Sequence, residues 1–310
     1  MVIEQQAAPA IGQRIGRQRR ASRRTGWRGA FALPGFVYLL IFALYPMYQL
    51  VVMSLSDVTS ANILGAWSFN GFSNFASTTS SAAFGVSVAN TLILVASLLL
   101  IGLIGGTIAA LALQRSGWLT NLTLGLMIFV WALPPVVAGN LWKFLLSDTG
   151  VVNSALMSTG AIHKPILWLV DSHLALLSIV LISGWLVLPF GALVVRSALL
   201  DVPQDLLEAA SLDGAGGLSR FWYVTLPHLR PTLWVLAVLL VVNAFRSFDL
   251  IYVLTGGGPG NATYTLPFLA YQQAFQTFQY GIGSATSILS LLIVLALALA
   301  YGWVQRKDAR

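Results

Sequence analysis

Residues 208–217 read EAASLDGAGG, a small, acidic, glycine-bearing stretch in a chain that is otherwise 57% hydrophobic and 9% charged. Two more acids, Asp201 and Asp205, stand just ahead of it. Its surroundings decide how it must be read. A soluble domain is about a quarter charged, whereas this chain of 310 residues carries 17 basic and 10 acidic side chains and a mean hydropathy of +0.80. Globular surfaces need polar residues to cover them. Several apolar stretches also reach the roughly 20 residues that cross a bilayer's hydrocarbon core. The acidic stretch is therefore a loop of an integral membrane protein.

The absence of cysteine excludes disulfides and thiol chemistry. His163, His173 and His228 are too dispersed to suggest a metal cluster. The high pI of about 10.0 invites a nucleic-acid reading. However, most of the excess lies in Arg14, Arg17, Arg19, Arg20, Arg23, Arg24 and Arg28, directly ahead of the first apolar run. Beside a membrane span such a segment reads as a cytoplasmic anchor attracted to anionic lipid, with no nucleic-acid partner. The leader is too long and polar for a signal peptide, and no small-residue cleavage site follows the apolar run.

Six hydrophobic runs are long enough to span, at residues 31–54, 89–113, 118–146, 173–197, 232–254 and 281–304. The expected organisation is a basic segment (1–30), a transmembrane domain (31–304) with an acidic loop at 198–231, and a short tail (305–310). With the N-terminus inside, fourteen of the 17 Lys and Arg fall on the cytoplasmic side. Only Lys143 and Lys164 fall opposite, with Arg246 inside a span. The asymmetry places both termini, and the EAASLDGAGG loop, in the cytoplasm of a multi-pass plasma or inner membrane protein. Two spans are interrupted: the third by Pro134 and Pro135 in "ALPPVVAGN", the fourth by "SGWLVLPFG". In lipid the freed backbone groups need protein or a water-filled cavity around them. A substrate path and ordinary helix kinking both satisfy that need.

Within the loop, Pro203 suits a first helical turn, and Asp201 and Asp205 suit a positive helix N-terminus. "DLLEAASL" continues as a helix, and Asp213-Gly214 reads as its stop. A second short helix is expected from about Ser219, ended by Pro227 and Pro231 in "LPHLRP". Ala209, Ala210 and Gly214 would let another surface approach closely, and Glu208 offers a charge to a basic partner. By spacing alone, a docking surface and a solvated amphipathic helix are both open.

Glu208-Ala209-Ala210, three residues, Gly214, nine residues and then Val224-Thr225-Leu226-Pro227 resembles the EAA loop of permease subunits of bacterial ABC importers. Val for Ile is the only departure from that family's pattern. The resemblance implies an all-α integral membrane protein of six transmembrane helices, with a cytoplasmic coupling helix pair between spans four and five. It implies that Glu208, Ala209, Ala210, Asp213, Gly214, Leu226 and Pro227 engage a cytoplasmic ATPase dimer. That partner would bind ATP and Mg, leaving this chain non-catalytic and without a cofactor of its own. A second homologous permease subunit and an extracytoplasmic sugar-binding protein are the other implied partners.

The likeness continues through "GVVNSALMSTG" (150–160), "ILWLVDSHLALLSIVLISGWLVLPF" (166–190) and "NAFRSFDLIYVLTGGGPGNATYTLPFLAYQQAF" (243–275), which are similar to carbohydrate permeases of the maltose type, first permease subunit. Among the shorter six-span members, glycerol-phosphate, trehalose (actinobacterial importers included) and other oligosaccharide carriers are not separated by any motif here. Carried over by position, the substrate-pathway candidates are Trp185, Pro189 and Phe190 in span four, with Asn243, Ala244 and Ser247 in span five. Arg246 and Asp249, three apart and expected on one helix face, are either part of that pathway or a structural ion pair. "TGGGPGNAT" (255–263) lacks the Gly-Lys-Ser/Thr of a phosphate loop. A secondary transporter and a membrane enzyme remain as rivals, the first opposed by the EAA spacing and the second by the want of a catalytic constellation.

Overall fold

A computed structural model describes residues 33–308. The basic segment at 1–30, with its seven arginines, and the last two residues of the tail lie outside the described residues. The chain divides into two compact units, Met1–Val52 and Met53–Arg310. What is described of the first belongs to helix α1 (Leu33–Ser54), whose apolar window has none of its residues buried within the chain. Phe36, Phe42 and Tyr48 all stand exposed along it. Such a face is at home against lipid or another apolar helix rather than water.

The second unit opens with a two-residue antiparallel ribbon, β1 (Ser56–Asp57) and β2 (Ser68–Phe69), paired Ser56 to Phe69. Helix α2 (Ser73–Ser80) follows. Ser81 then caps α3 (Ala82–Ala112), its hydroxyl accepting the Phe84 N–H at 3.2 Å. The second span thus starts well before residue 89, because cap chemistry rather than hydropathy sets where a helix begins. The single helix expected over 118–146 is two, α4 (Trp118–Ala132) and α5 (Pro135–Leu145), bent by 102°. Pro134 is extended at the break, and it cannot donate to the helical ladder. A short helix α6 (Val151–Ser158) sits in the following loop. It is clasped by Asn153, whose amide donates to Ser147 and Ile166 carbonyls and accepts from Ile166 N–H and Trp168 Nε1.

Helix α7 (Leu174–Leu200) is the central span, with 61% of its apolar window buried against 28% or less in the other long helices. Asp171 caps it by accepting the His173 and Leu174 N–H groups at 2.8 and 3.1 Å. This carboxyl lies outside the spans, and those two hydrogen bonds hold its pKa below the ordinary aspartate value. Pro189 sits inside α7 without ending it. Then come α8 (Gln204–Leu212), α9 (Gly217–Phe245), α10 (Phe248–Leu254), α11 (Leu266–Tyr271) and α12 (Tyr280–Asp308).

Leu94 and Leu98 of α3, Val195 of α7, and Leu229, Leu236 and Leu240 of α9 are fully buried together and form the main core. Ile179 of α7, Leu250, Ile251 and Leu254 of α10, and Phe268 of α11 form a second. Helices α3 and α7 cross at backbone distance. A Cβ at Gly106 would lie 2.8 Å from the Gly191 carbonyl carbon, and one at Gly191 would overlap the Gly102 carbonyl oxygen. This is the small-residue packing that lipid favours, since apolar side chains gain little by leaving one oil for another.

Two expectations about α9 are corrected. Pro227 and Pro231 do not end a short helix; one helix runs from Gly217 through both. A π turn at Phe221–Thr225 directly precedes Pro227, and its extra residue widens the turn where a pyrrolidine ring would otherwise strike the preceding carbonyls. The second helix of the loop is therefore the start of span five. That span also stops earlier than residue 254. It ends at Phe245, and α10 begins again at Phe248.

Candidate functional site

The EAA loop is built as an exposed shelf. Pro203 holds an extended ψ of 127° just ahead of α8, and Asp205 lies in its first turn. Val202, 4% exposed, roots the segment in the bundle. None of the residues of α8 is buried, and Leu206 and Leu212 are 51% and 89% exposed. The helix stops in a Schellman turn: Gly214 N–H donates to Ser211 O at 3.1 Å, and Ala215 N–H to Ala210 O at 2.9 Å. Gly214 takes φ +80°, which glycine adopts without steric cost. Glu208, Ala209, Asp213 and Gly214 thus stand exposed on one short element, with Ala210 half-buried beside them. Leu226 and Pro227 lie on α9, directly after its π turn.

The second feature is a cavity of about 170 Å³ in the middle of the bundle. From α7 it is lined by Ser183, Leu186, Val187 and Phe190, which follow one another at i, i+3, i+4 and i+7 and so share one face. These positions fall in the middle third of α7. Asn243 of α9, Arg246, Ser247, and Asp249 and Leu250 of α10 line another wall. Trp131, Leu133 and Pro135 at the α4–α5 break complete it, with Trp131 stacked on Phe190 at 5.9 Å and 15°.

Both breaks in the spans converge on this cavity. At the α9–α10 break the Arg246 N–H donates to Asn243 O at 3.0 Å, and the Ser247 hydroxyl donates to the same carbonyl at 3.2 Å. Irregular backbone at membrane depth is tolerated where it lines such a space. The break also separates Arg246 from Asp249, so they do not share a continuous helix face. Among the described residues neither forms an ion pair, so two opposite charges are presented to one cavity.

Five of the eight pathway candidates meet here: Phe190, Asn243, Arg246, Ser247 and Asp249. The other three are placed elsewhere. Trp185 packs edge-on against Trp142 at 5.6 Å, Pro189 is buried in α7, and Ala244 is 4% exposed in the main core. Ser183 is the residue that position-by-position reading misses. The residue lines the cavity and is 2% exposed, and its buried hydroxyl has no hydrogen-bond partner. Buried hydroxyls are ordinarily satisfied, and each exception asks for an explanation. The signal available was helical periodicity, since Ser183 lies two turns before Phe190 on the same face.

Comparison with known proteins agrees with this architecture. The family model described as "Binding-protein-dependent transport system inner membrane component" matches residues 102–308. The trehalose/maltose transport system permease protein MalF of Thermococcus litoralis is 39% identical over 177 residues, 57% of this chain and 59% of that protein. The sn-glycerol-3-phosphate transport system permease protein UgpA of Agrobacterium fabrum is 31% identical over 277 residues, 88% of this chain and 93% of that protein. A chain from the crystal structure of a bacterial ABC transporter that imports the acidic polysaccharide alginate superposes with a TM-score of 0.80 at 23% identity. That superposition covers 95% of this chain and all of the other, and it shows the fold. A multi-pass helical bundle with an EAA loop, matched by the family model over most of its length, belongs to the binding-protein-dependent transport system inner membrane component family.

Proposed function

We propose that this chain is the first permease subunit of an ATP-driven ABC importer and forms half of the pathway for a neutral disaccharide or oligosaccharide. The observation that carries the reading is the EAA loop: an exposed acidic helix, a glycine stop, and then a continuous helix that reaches the cavity wall. A partner ATPase seated on α8 would act on α9 through the short turn at Gly214, and α9 would carry the movement to the cavity because it runs unbroken from Gly217 to Phe245. Closure of the ATPase dimer on ATP and Mg would shift the bundle between inward-open and outward-open populations. The free energy enters through the partner, and this chain converts it into exposure of the cavity to one side or the other. The cavity itself, at about 170 Å³, is smaller than a typical ligand pocket of ~300–1,000 Å³. That size fits a half-site completed by a second permease, with solute delivered by an extracytoplasmic binding protein.

Sugar chemistry suits the lining. Trp131 and Phe190 offer ring faces, and Asn243, Ser247 and Ser183 offer hydroxyl and amide partners. A relative named for trehalose and maltose supports a disaccharide, and one named for glycerol phosphate supports an anionic alternative. Arg246 would serve a phosphate, but Asp249 lines the same cavity and opposes an anion. The pair therefore favours a neutral polyol, to which Arg donates and Asp accepts. The test is to purify the chain from its native membrane with its associated subunits, and to compare wild type with Glu208→Lys. Loss of the ATPase from the Glu208→Lys preparation, with solute binding by the receptor protein unchanged, supports coupling through α8. Normal ATPase retention and normal stimulated hydrolysis would sink it.

A further inference from the structure

A run of ring contacts leads from the cavity on the end of the bundle opposite the EAA loop. Helix α7 fixes that end: Ile179, near its start, packs with Leu250, Ile251 and Phe268, whereas Leu200 at its other end leads into α8. Phe248 stands between two residues that line the cavity, Ser247 and Asp249. Its ring stacks on Tyr252 at 5.6 Å and 25°, and meets Tyr271 at 4.8 Å. Tyr271 in turn meets Phe275 at 5.6 Å, and Phe275 meets Tyr280 edge-on at 6.5 Å. The contacts thus join the cavity wall to the start of α12. Tyr252 and Phe275 are 51% and 60% exposed, as is Phe278 to 49%.

The backbone beneath these rings is irregular. After α11 the chain makes a π turn at Gln272–Gln276, a form frequent at functional sites. It closes with the Thr277 N–H donating to Gln272 O at 2.9 Å and the Gln279 N–H to Gln273 O at 2.8 Å. Phe278 lies inside that closing turn at φ +57°. Glycine ordinarily takes this place, as Gly214 does at the end of α8, and a bulky residue there is an outlier. Such an outlier points to a use for the side chain.

The chemistry of the stretch narrows that use. Gln276 Nε2 donates to the Tyr271 hydroxyl at 3.1 Å, and Gln273 is taken up by Thr286. Among the described residues the Gln272 and Gln279 amides have no side-chain hydrogen bond. Hydrocarbon would strand such amides. No Asp, Glu, Lys or Arg occurs between Asp249 and Arg306 to attract a charged solute or lipid headgroup. Exposed ring faces beside uncharged amides match a neutral sugar, whose C–H face is apolar and whose rim is hydroxyl. We propose that Tyr252, Phe275 and Phe278, with the Gln279 amide, form an outer subsite that holds a neutral saccharide before it enters the cavity. The subsite rests on the neutral-sugar reading of the cavity. Tyr252 follows Asp249 by one turn of α10, so the two sites adjoin.

The test uses the full chain, purified in detergent with its accompanying subunits, and trehalose, maltose and maltotriose as probes. Saturation-transfer NMR with irradiation of the aromatic protons reads which sugar protons lie against rings, and a titration gives the apparent Kd. Phe275→Ala and Phe278→Gly should each weaken sugar binding about two- to tenfold, the range for one ring contact. Phe278→Tyr should retain it. Glycine takes φ +57° freely, so Phe278→Gly should hold or raise the thermal midpoint, which separates loss of the ring from misfolding. Binding that is unchanged in Phe275→Ala and Phe278→Gly but lost in the cavity variant Asn243→Leu would overturn the outer subsite and leave the cavity reading standing. No signal from any of the three sugars in wild type would overturn both. Release of a subunit by Phe278→Gly would mark the rings as a subunit contact and overturn the subsite.

Discussion

Gly214 ends α8 at φ +80°, and no atom lies within 4 Å of where its Cβ would stand. Substitution there is therefore a test of backbone conformation with contact removed as a variable. An ordinary L-residue in the left-handed region costs roughly 1–2 kcal/mol, asparagine less, and a β-branched residue more. Because no residue of α8 is buried, that cost cannot be recovered from, or charged to, the bundle core. It falls on the population of loops shaped for docking. About 1–2 kcal/mol corresponds to a roughly 5- to 30-fold loss of competent loop, and apparent ATPase affinity should fall by the same factor. The expected order is Gly, then Gly214→Asn, then Gly214→Ala, then Gly214→Val, read as ATPase retained by the purified permease over a dilution series. Thermal unfolding of the bundle should be the same in all four. If Asn proved as damaging as Val, side-chain bulk at an interface would be the cause rather than φ. If Ala lowered the bundle's thermal midpoint instead of ATPase retention, the turn would be structural and the reasoning wrong.

Ser183→Ala removes a buried hydroxyl that has no partner, so stability should hold or rise by ~1 kcal/mol while solute-stimulated ATP hydrolysis falls. Unchanged solute response in that variant would dismiss Ser183 as a contact. Gly191→Ala places a methyl on the Gly102 carbonyl and should cost at least the ~1–3 kcal/mol of an overpacked core, whereas Gly125→Ala, with nothing within 4 Å, should be neutral. Thermal unfolding in detergent distinguishes the two, and equal midpoints would contradict the close crossing. Asp171 is lowered in pKa by the His173 and Leu174 N–H groups, so its stabilisation is complete above the ordinary aspartate value of about 3.9 and is lost as pH falls through its lower folded value. The stability gap between wild type and Asp171→Ala should therefore be constant above about pH 5 and close in stronger acid. A gap that widened toward acid would mean the carboxylate is not the capping form.

Much of the loop was legible in the linear order of residues. The stop at Asp213-Gly214 is observed as a Schellman turn, because a helix end is set by the residues within one turn of it. The breaks were less legible. Pro134 and Pro135 signalled the first, which the structure shows as a 102° bend. The second, at Arg246-Ser247, has no proline or glycine to announce it. Pro227 announced a break that a π turn absorbed instead, and Pro231 lies inside the helix without ending it. Within the cavity, likeness picks out Phe190, Asn243 and Ser247, and ionisable character inside a span picks out Arg246 and Asp249, while Ala244, adjacent to Asn243, turns inward to the core. A single position along a helix is worth 100° of direction, so a stretch named by likeness scatters around the axis and only the packed bundle selects its face.

Composition, charge asymmetry and the EAA spacing by themselves determined that this is a multi-span membrane chain that carries the motif of a permease family. Those properties are sums or short-range patterns, and they survive without a fold. Tertiary structure alone decided that the α4–α5 break, the middle of α7 and the α9–α10 break enclose one space, and that Ser183 in its wall keeps an unpartnered hydroxyl. These segments lie far apart in sequence, and hydropathy registers a helix's greasiness but neither its bend nor the direction in which a hydroxyl is aimed.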